Sequence, residues 1–195
     1  MASINFRYLG STATEYGDLG AETNHRTQAG WKNWKKLRGA LCDRRTGVKP
    51  KGKAHRTATV ARPATMHGTE TRATKTTEEK KMDVAEMRTL RWMCGATRRD
   101  KTRNEVTRGT TGARKLSDEI QESRQRWHGH ATRRDEQHTG RRAMEMLAQG
   151  TRRRGRPKQR WVDCTKDDPR SKGPTGDEVR DRGRWRKPTR NTDPI

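Results

Sequence analysis

Leu, Ile, Val and Phe together supply only 17 of 195 residues, about 9%, and no other property of this chain constrains its folding as strongly. A share below about 20% combined with high net charge is the mark of disorder. Ordering costs roughly 1–2 kcal/mol of backbone entropy per residue, and aliphatic surface this sparse can offset that only in short patches. The charge is present as well: 47 Lys and Arg against 24 Asp and Glu leave a net +23. The expectation is a mainly α chain with extensive disorder, a few short helices and no compact single core, carrying a field that attracts polyanions.

The early aromatic residues Trp31 and Trp34, followed by Leu37, lie at i, i+3, i+6 within 21–41 and predict a helix there, with the tryptophans packing against a neighbour rather than stacking on bases. Threonines scattered among Gly, Pro, Lys and Arg over 46–77 give no periodicity, so no structure is expected in that stretch. A helix over 84–94 has the best local signals, with Asp83 and Glu86 as a capping box and Gly95 at C′. Its apolar residues, Val84 to Met93, surround most of the circumference and imply burial. Ser117 as N-cap predicts a helix over 117–128, and Ala143, Met144, Met146 and Leu147 predict another over 141–149. Beyond Gly150 the Gly- and Pro-punctuated basic sequence reads as an extended tail. The chain therefore divides into 1–77, poorly ordered at its centre, a helical 78–112, short helices over 113–150 and a basic disordered tail over 151–195.

The search for chemistry is mostly negative. Cys42, Cys94 and Cys164 are widely spaced, with no CxxC pair. His128 and His130 lack carboxylate or cysteine partners at ligand spacing, and Asp167-Asp168 sits in a polar KDDP segment that reads as surface. No catalytic residue, metal or cofactor is expected. No apolar run approaches bilayer length and the N-terminus lacks a secretion-signal layout, so neither membrane association nor secretion is expected. The strongest positive signal is Arg152-Arg153-Arg154-Gly155-Arg156-Pro157-Lys158-Gln159-Arg160, six cations in nine residues. Its RGRP core is that of an AT-hook, in which Gly lets the backbone lie deep in the minor groove and flanking arginines meet its negative potential. A solvated basic linker or a nuclear-import signal fits the same residues.

Five ordered motifs carry a resemblance. They are Phe6-Arg7-Tyr8-Leu9-Gly10-Ser11; His25 to Trp31 with Leu41-Cys42-Asp43-Arg44-Arg45; Met87-Arg88-Thr89-Leu90-Arg91-Trp92-Met93-Cys94-Gly95, continuing through Thr97-Arg98-Arg99-Asp100 to Arg103-Asn104-Glu105; Arg126-Trp127-His128-Gly129-His130; and Gly155-Arg156-Pro157-Lys158 with Arg160-Trp161. Together they resemble the region after the catalytic palm in reverse transcriptases of non-long-terminal-repeat (LINE-type) retrotransposons. Phe6, Tyr8, Leu9 and Gly10 are similar to that family's primer-grip strand, and the following residues to its helical thumb.

The resemblance implies a chain that opens at the primer grip, downstream of the family's magnesium-binding aspartates, and is therefore not an enzyme. It also implies that Arg152, Arg153, Arg154, Gly155, Arg156, Pro157, Lys158 and Arg160 contact template or target DNA. Where the family shows apolar residues this chain has Thr27, His67, Arg72 and Gln125, which suggests a decayed element copy whose thumb cannot pack, since unpartnered buried polar groups cost roughly 1–3 kcal/mol each. The expectation is a non-catalytic, nuclear remnant that binds RNA and DNA through phosphates, without a small-molecule substrate. A small AT-hook-like chromatin protein and a translated relic with no selected role remain open as alternatives.

Overall fold

Lys, Arg, Glu, Gln and Met lose little side-chain freedom in a helix, so a chain rich in them favours helix wherever one face can be covered. The computed structural model describes residues 5–8, 11–14, 19–57, 62–146, 160–168 and 179–189, and these are mainly helical. In chain order they form strands β1 (Asn5–Tyr8) and β2 (Ser11–Thr14), then α1 (Gly20–Leu41), α2 (Val48–Thr57), α3 (Arg62–Met66), a 3₁₀ turn at Thr69–Thr71, and α4 (Thr76–Cys94). They continue with α5 (Asn104–Thr111), α6 (Leu116–Thr132), α7 (Thr139–Glu145), α8 (Trp161–Asp167) and α9 (Arg182–Thr189). No helix among the described residues is long and apolar enough to cross a membrane. The chain separates into two compact units, Met1–Gly68 with Thr76–Glu119 and Asp193–Ile195, and Thr69–Lys75 with Ile120–Thr192.

In the first unit β1 and β2 pair antiparallel, from Asn5↔Thr14 to Tyr8↔Ser11. Glu22, in the first turn of α1, fixes this hairpin: its carboxylate accepts the Thr12 backbone N–H at 2.7 Å and pairs with Arg26 at 2.7 Å, and Arg26 reaches Ser11 Oγ at 3.3 Å. The primer-grip-like residues Phe6 and Tyr8 lie on β1, whereas Leu9 and Gly10 are outside the described residues. An apolar cluster of Trp34, Leu41, Met87, Leu90, Met93 and Ala113 is flanked by Trp31, Cys42 and Ala54. The expected tryptophan packing is present, with Trp34 and Trp31 5.7 Å apart edge to face and Trp92 within 5.3 Å of both.

Three expectations need correction. The stretch 46–77, expected to lack structure, holds α2, α3 and the 3₁₀ turn, because Gly52 lets α2 cross α5 so closely that a Cβ there would lie 2.8 Å from the Thr111 carbonyl carbon. The helix expected at 84–94 begins at Thr76, so Asp83 is internal and caps another helix instead: its Oδ1 accepts the backbone N–H groups of Leu116 and Ser117, at 3.0 and 3.2 Å, at the start of α6. Burial of α4 is one-sided, with Val84 62% and Trp92 48% exposed, because the opposite face carries Met82, Glu86, Leu90 and Met93 inward.

Beyond the apolar cluster and the buried Met82 and Leu116, charged groups fill much of the first unit's interior. Arg62 is buried between Glu86 and Glu119, each at 3.0 Å, and donates to the Arg114 carbonyl. Arg108 closes the ring with 2.8 Å bonds to Glu86 and to the Arg114 carbonyl and a 3.7 Å pair to Asp83. Buried charges are tolerable when paired with opposite charge, as here, with hydrogen bonds from Arg62 to the Arg114 carbonyl and from Arg108 to Glu86 and the same carbonyl. A cavity of about 20 Å³ beside them is lined by Thr27, Trp31, His55, Arg62, Glu86 and Thr89, among others. Thr89 donates its hydroxyl proton to the Glu86 carbonyl at 2.7 Å, so its oxygen accepts from His55 Nε2–H at 3.2 Å, leaving buried His55 Nδ1 a bare acceptor. Burial, reinforced by Arg62, Arg56 and Arg108, lowers the His55 pKa to about 4.

Candidate nucleic-acid interface

The second unit is built around the Ile120–Thr132 portion of α6, and its assembly begins with a glycine. An added Cβ at Gly129 would meet the Trp185 indole, 2.5 Å from Cδ1, so only a side chain of hydrogen lets α9 lie against this helix. Trp185 is buried and donates its indole N–H to the Gln125 carbonyl at 3.1 Å. His128 sits 6.0 Å from Trp185 and 6.1 Å from Trp161, and burial pulls its pKa below the usual range. Trp161, at the start of α8, donates to the Glu70 carbonyl at 2.8 Å.

A polar knot holds α8. Arg124, almost fully buried, donates to Asp168 at 2.8 Å and to Thr74 Oγ1 at 2.7 Å. Gln125, 1% exposed, donates to the Thr165 carbonyl at 2.8 Å and to Asp168 Oδ2 at 3.4 Å. Two expectations fall here. Asp168 is not surface: at 5% exposure it is the counter-charge of Arg124, while Asp167 is exposed. Nor does Gln125 obstruct packing as an unpartnered polar group, because the α8 C-terminus supplies a carbonyl and a carboxylate for its amide. The region after Gly150, expected to be an extended tail, contains α8 and α9, because these knots and Trp185 anchor short helices that apolar periodicity does not signal. Helix α7 runs 139–145 rather than from 141, capped by His138 Nδ1, which accepts the Gly140 N–H at 3.1 Å.

On its other side α6 presents Ser123, Arg126, Trp127 and His130, at i, i+3, i+4 and i+7, the spacing of one helical face, and Arg133 and Arg134 follow in the turn just past its C-terminus. With Arg182 and Glu70 these residues line an open cleft of about 860 Å³, within the roughly 300–1,000 Å³ of ligand clefts. Arg126 is tethered to Glu122 at 2.6 Å yet remains 71% exposed, and Arg133 donates to the Val179 carbonyl at 3.0 Å. Burial, and after it the nearby Arg182 charge, pull the Arg133 guanidinium below its usual pKa. Arg134 and Arg182 are exposed. Four guanidinia against the carboxylate of Glu70, with Arg126 also paired to Glu122, leave this cleft an excess of positive charge suited to an anion. Trp127 and His130 lie in its wall with ring centroids 5.6 Å apart and planes 31° from parallel.

Sequence reasoning placed the binding residues elsewhere. Arg152, Arg153, Arg154, Gly155, Arg156, Pro157 and Lys158 lie outside the described residues. Arg160 is described, and its backbone N–H and guanidinium engage Asp163 at 2.9 and 3.4 Å at the start of α8, which holds the Asp163 carboxyl below its usual range. Among the described residues no group of three His, Cys, Asp or Glu side chains is placed to hold a metal ion, and Cys42, Cys94 and Cys164 are free thiols. The signal for the cleft was in the sequence: the 3–4 spacing of Ser123, Arg126, Trp127 and His130, followed by Arg133-Arg134. It was hidden because periodicity was read for apolar residues. Comparison with protein-family models, with curated proteins and with solved structures returned no match to this chain.

Proposed function

We propose that this chain is a non-catalytic nucleic-acid-binding protein derived from the post-palm region of a retrotransposon reverse transcriptase, acting in the nucleus on RNA and DNA. The observation that carries the binding reading is the arginine-lined cleft along α6, which gathers Arg126, Arg133, Arg134 and Arg182 with only Glu70 in its lining and Glu122 paired to Arg126. A net charge of +23 supplies the long-range attraction. The basic run 152–160 adds a second contact, and the same excess of charge over aliphatic surface supports a chain without a single core, extensively disordered until nucleic acid is bound.

The non-catalytic half of the reading is supported by how the only adjacent aspartates are used. Phosphoryl transfer to a primer end needs two metal ions about 4 Å apart on fixed carboxylates. Asp168 is instead neutralised by Arg124, and Asp167 is exposed. The tests are filter binding to RNA and duplex DNA of scrambled sequence, and primer extension on poly(rA)·oligo(dT) with magnesium or manganese. Affinities for scrambled sequences of one type should agree within about threefold, since phosphate contacts carry no sequence information, and no primer should be extended. Failure to bind either polymer overturns the binding reading. Extension that disappears in an Asp167→Asn, Asp168→Asn double variant overturns the other.

A further inference from the structure

We propose that the α6 cleft is a single-strand site, in which an unpaired base stacks on the Trp127–His130 face while the flanking phosphates lie against Arg126, Arg134 and Arg182. The inference rests on the nucleic-acid reading and sharpens it. Phosphate attraction alone would accept duplex and single strand alike, and arginines alone would give no preference. What distinguishes this cleft is an aromatic surface inside the ring of cations. Trp127 is only half-buried and His130 is exposed, the two are tilted by 31° at 5.6 Å, and both line the same cleft as the arginines.

Such a pairing of an aromatic face with a cationic rim is the design of sequence-tolerant single-strand binding, because every base offers a π-face whereas the bases of a duplex are stacked on each other. The geometry is held from behind. Residue 140 of α7 lies behind the Trp127 ring, a Cβ there making ordinary contact at 3.8 Å from Cζ2, and Arg141 fastens α7 to α6 by donating to the Thr132 carbonyl at 3.1 Å. Arg133, bonded to Val179 O, is committed to positioning and contributes field rather than a movable hand. Ser123 adds a hydroxyl donor at the edge of the cleft.

The experiment uses the intact chain and three fluorescent probes of equal length: a 12-mer of dT, a 12-mer of abasic sites with the same phosphates, and a 12-base-pair duplex. Fluorescence anisotropy should show the dT 12-mer binding roughly 5- to 150-fold more tightly than the abasic 12-mer, the range for one stacked base. This comparison needs no mutation and so no assumption about folding. Trp127→Phe, which keeps a stacking ring, should retain most of that ratio. Trp127→Ala should reduce it toward one while leaving duplex affinity within about twofold, because phosphate contacts are untouched. Equal binding of dT and abasic probes by the native chain overturns the stacking proposal and leaves nucleic-acid binding standing. Loss of the dT preference in neither variant overturns the assignment to Trp127. Binding of none of the three probes overturns both.

Discussion

Gly129→Ala is the sharpest mechanical probe of the second unit. In a helix interior this substitution ordinarily stabilises, because alanine is favoured over glycine by about 1 kcal/mol. Here the new methyl would sit 2.5 Å from Cδ1 of Trp185 and 3.0 Å from the Arg133 guanidinium, and the indole has nowhere to go without giving up its bond to the Gln125 carbonyl. Expelling a buried tryptophan costs about 3–5 kcal/mol on the scale of large-to-small core substitutions. Set against the helix gain, the net loss is about 2–4 kcal/mol. Gly39→Ala and Gly109→Ala are the controls, since a Cβ at either position meets nothing within 4 Å. Urea titrations followed by circular dichroism and tryptophan emission should place both controls at or above the native chain by up to about 1 kcal/mol and Gly129→Ala well below it. Gly129→Ala stabilising as much as the controls would refute the packing of Trp185 on α6.

His55 gives the first unit a pH signature. Its folded pKa, lowered from 6.5 to about 4, means that the unfolded chain takes up a proton the folded chain refuses, so stability present above pH 6.5 is lost as pH falls toward 4, about 3 kcal/mol in all. His55→Asn should flatten the pH dependence of urea midpoints in that window, and an unchanged slope would contradict the burial of a neutral imidazole. Asp168→Ala removes the counter-charge of buried Arg124 and should destabilise by about 3–5 kcal/mol. Asp168→Asn, which keeps one oxygen acceptor, should cost less, and equal unfolding midpoints for Asp168→Ala and the native chain would show that the Arg124 pair holds nothing.

What could be read from the sequence follows the physics of each signal. Helix α1 was legible because Trp31 and Trp34 recur at helical spacing around a packed face, and α6 because Asp118 and Glu119 mark a first turn, although Ser117, expected as its N-cap, lies inside a helix that starts at Leu116, its buried hydroxyl without a hydrogen-bond partner among the described residues and the capping done by Asp83. The length of α4 was not. Asp83 looked like its cap, yet the same carboxylate serves α6 from the middle of α4, a choice made 33 residues away in the chain. The short helices α2, α3 and α8 escaped because their interiors are largely polar, and α9 because a single residue, Trp185, anchors it. Arg62 with Glu86, Arg124 with Asp168, and Gln125 with the Thr165 carbonyl are satisfied only by partners distant in sequence. Counting aliphatics measures one kind of interior and misses one built from paired charges. The candidate site was missed for the converse reason: Arg126, Trp127 and His130 stood in helical register ahead of Arg133 and Arg134, but attention went to the denser run at 152–160. The resemblance had already drawn attention to Arg126-Trp127-His128-Gly129-His130 without saying what those residues do. The structure divides them, with Gly129 and His128 inward at Trp185 and Arg126, Trp127 and His130 on the cleft.

The most direct test of the central claim compares the salt dependence of single-strand binding between the native chain and an Arg126→Gln, Arg134→Gln, Arg182→Gln triple variant. Those three side chains are exposed, so neutralising them should leave the fold intact by circular dichroism. Each phosphate contact on a single strand contributes about −0.7 to the slope of log affinity against log salt, so losing three should flatten the slope by about 2. A flatter slope by that amount, with weaker binding at low salt, is the predicted result. Identical slopes for the two proteins would contradict the assignment of the α6 cleft as the nucleic-acid interface.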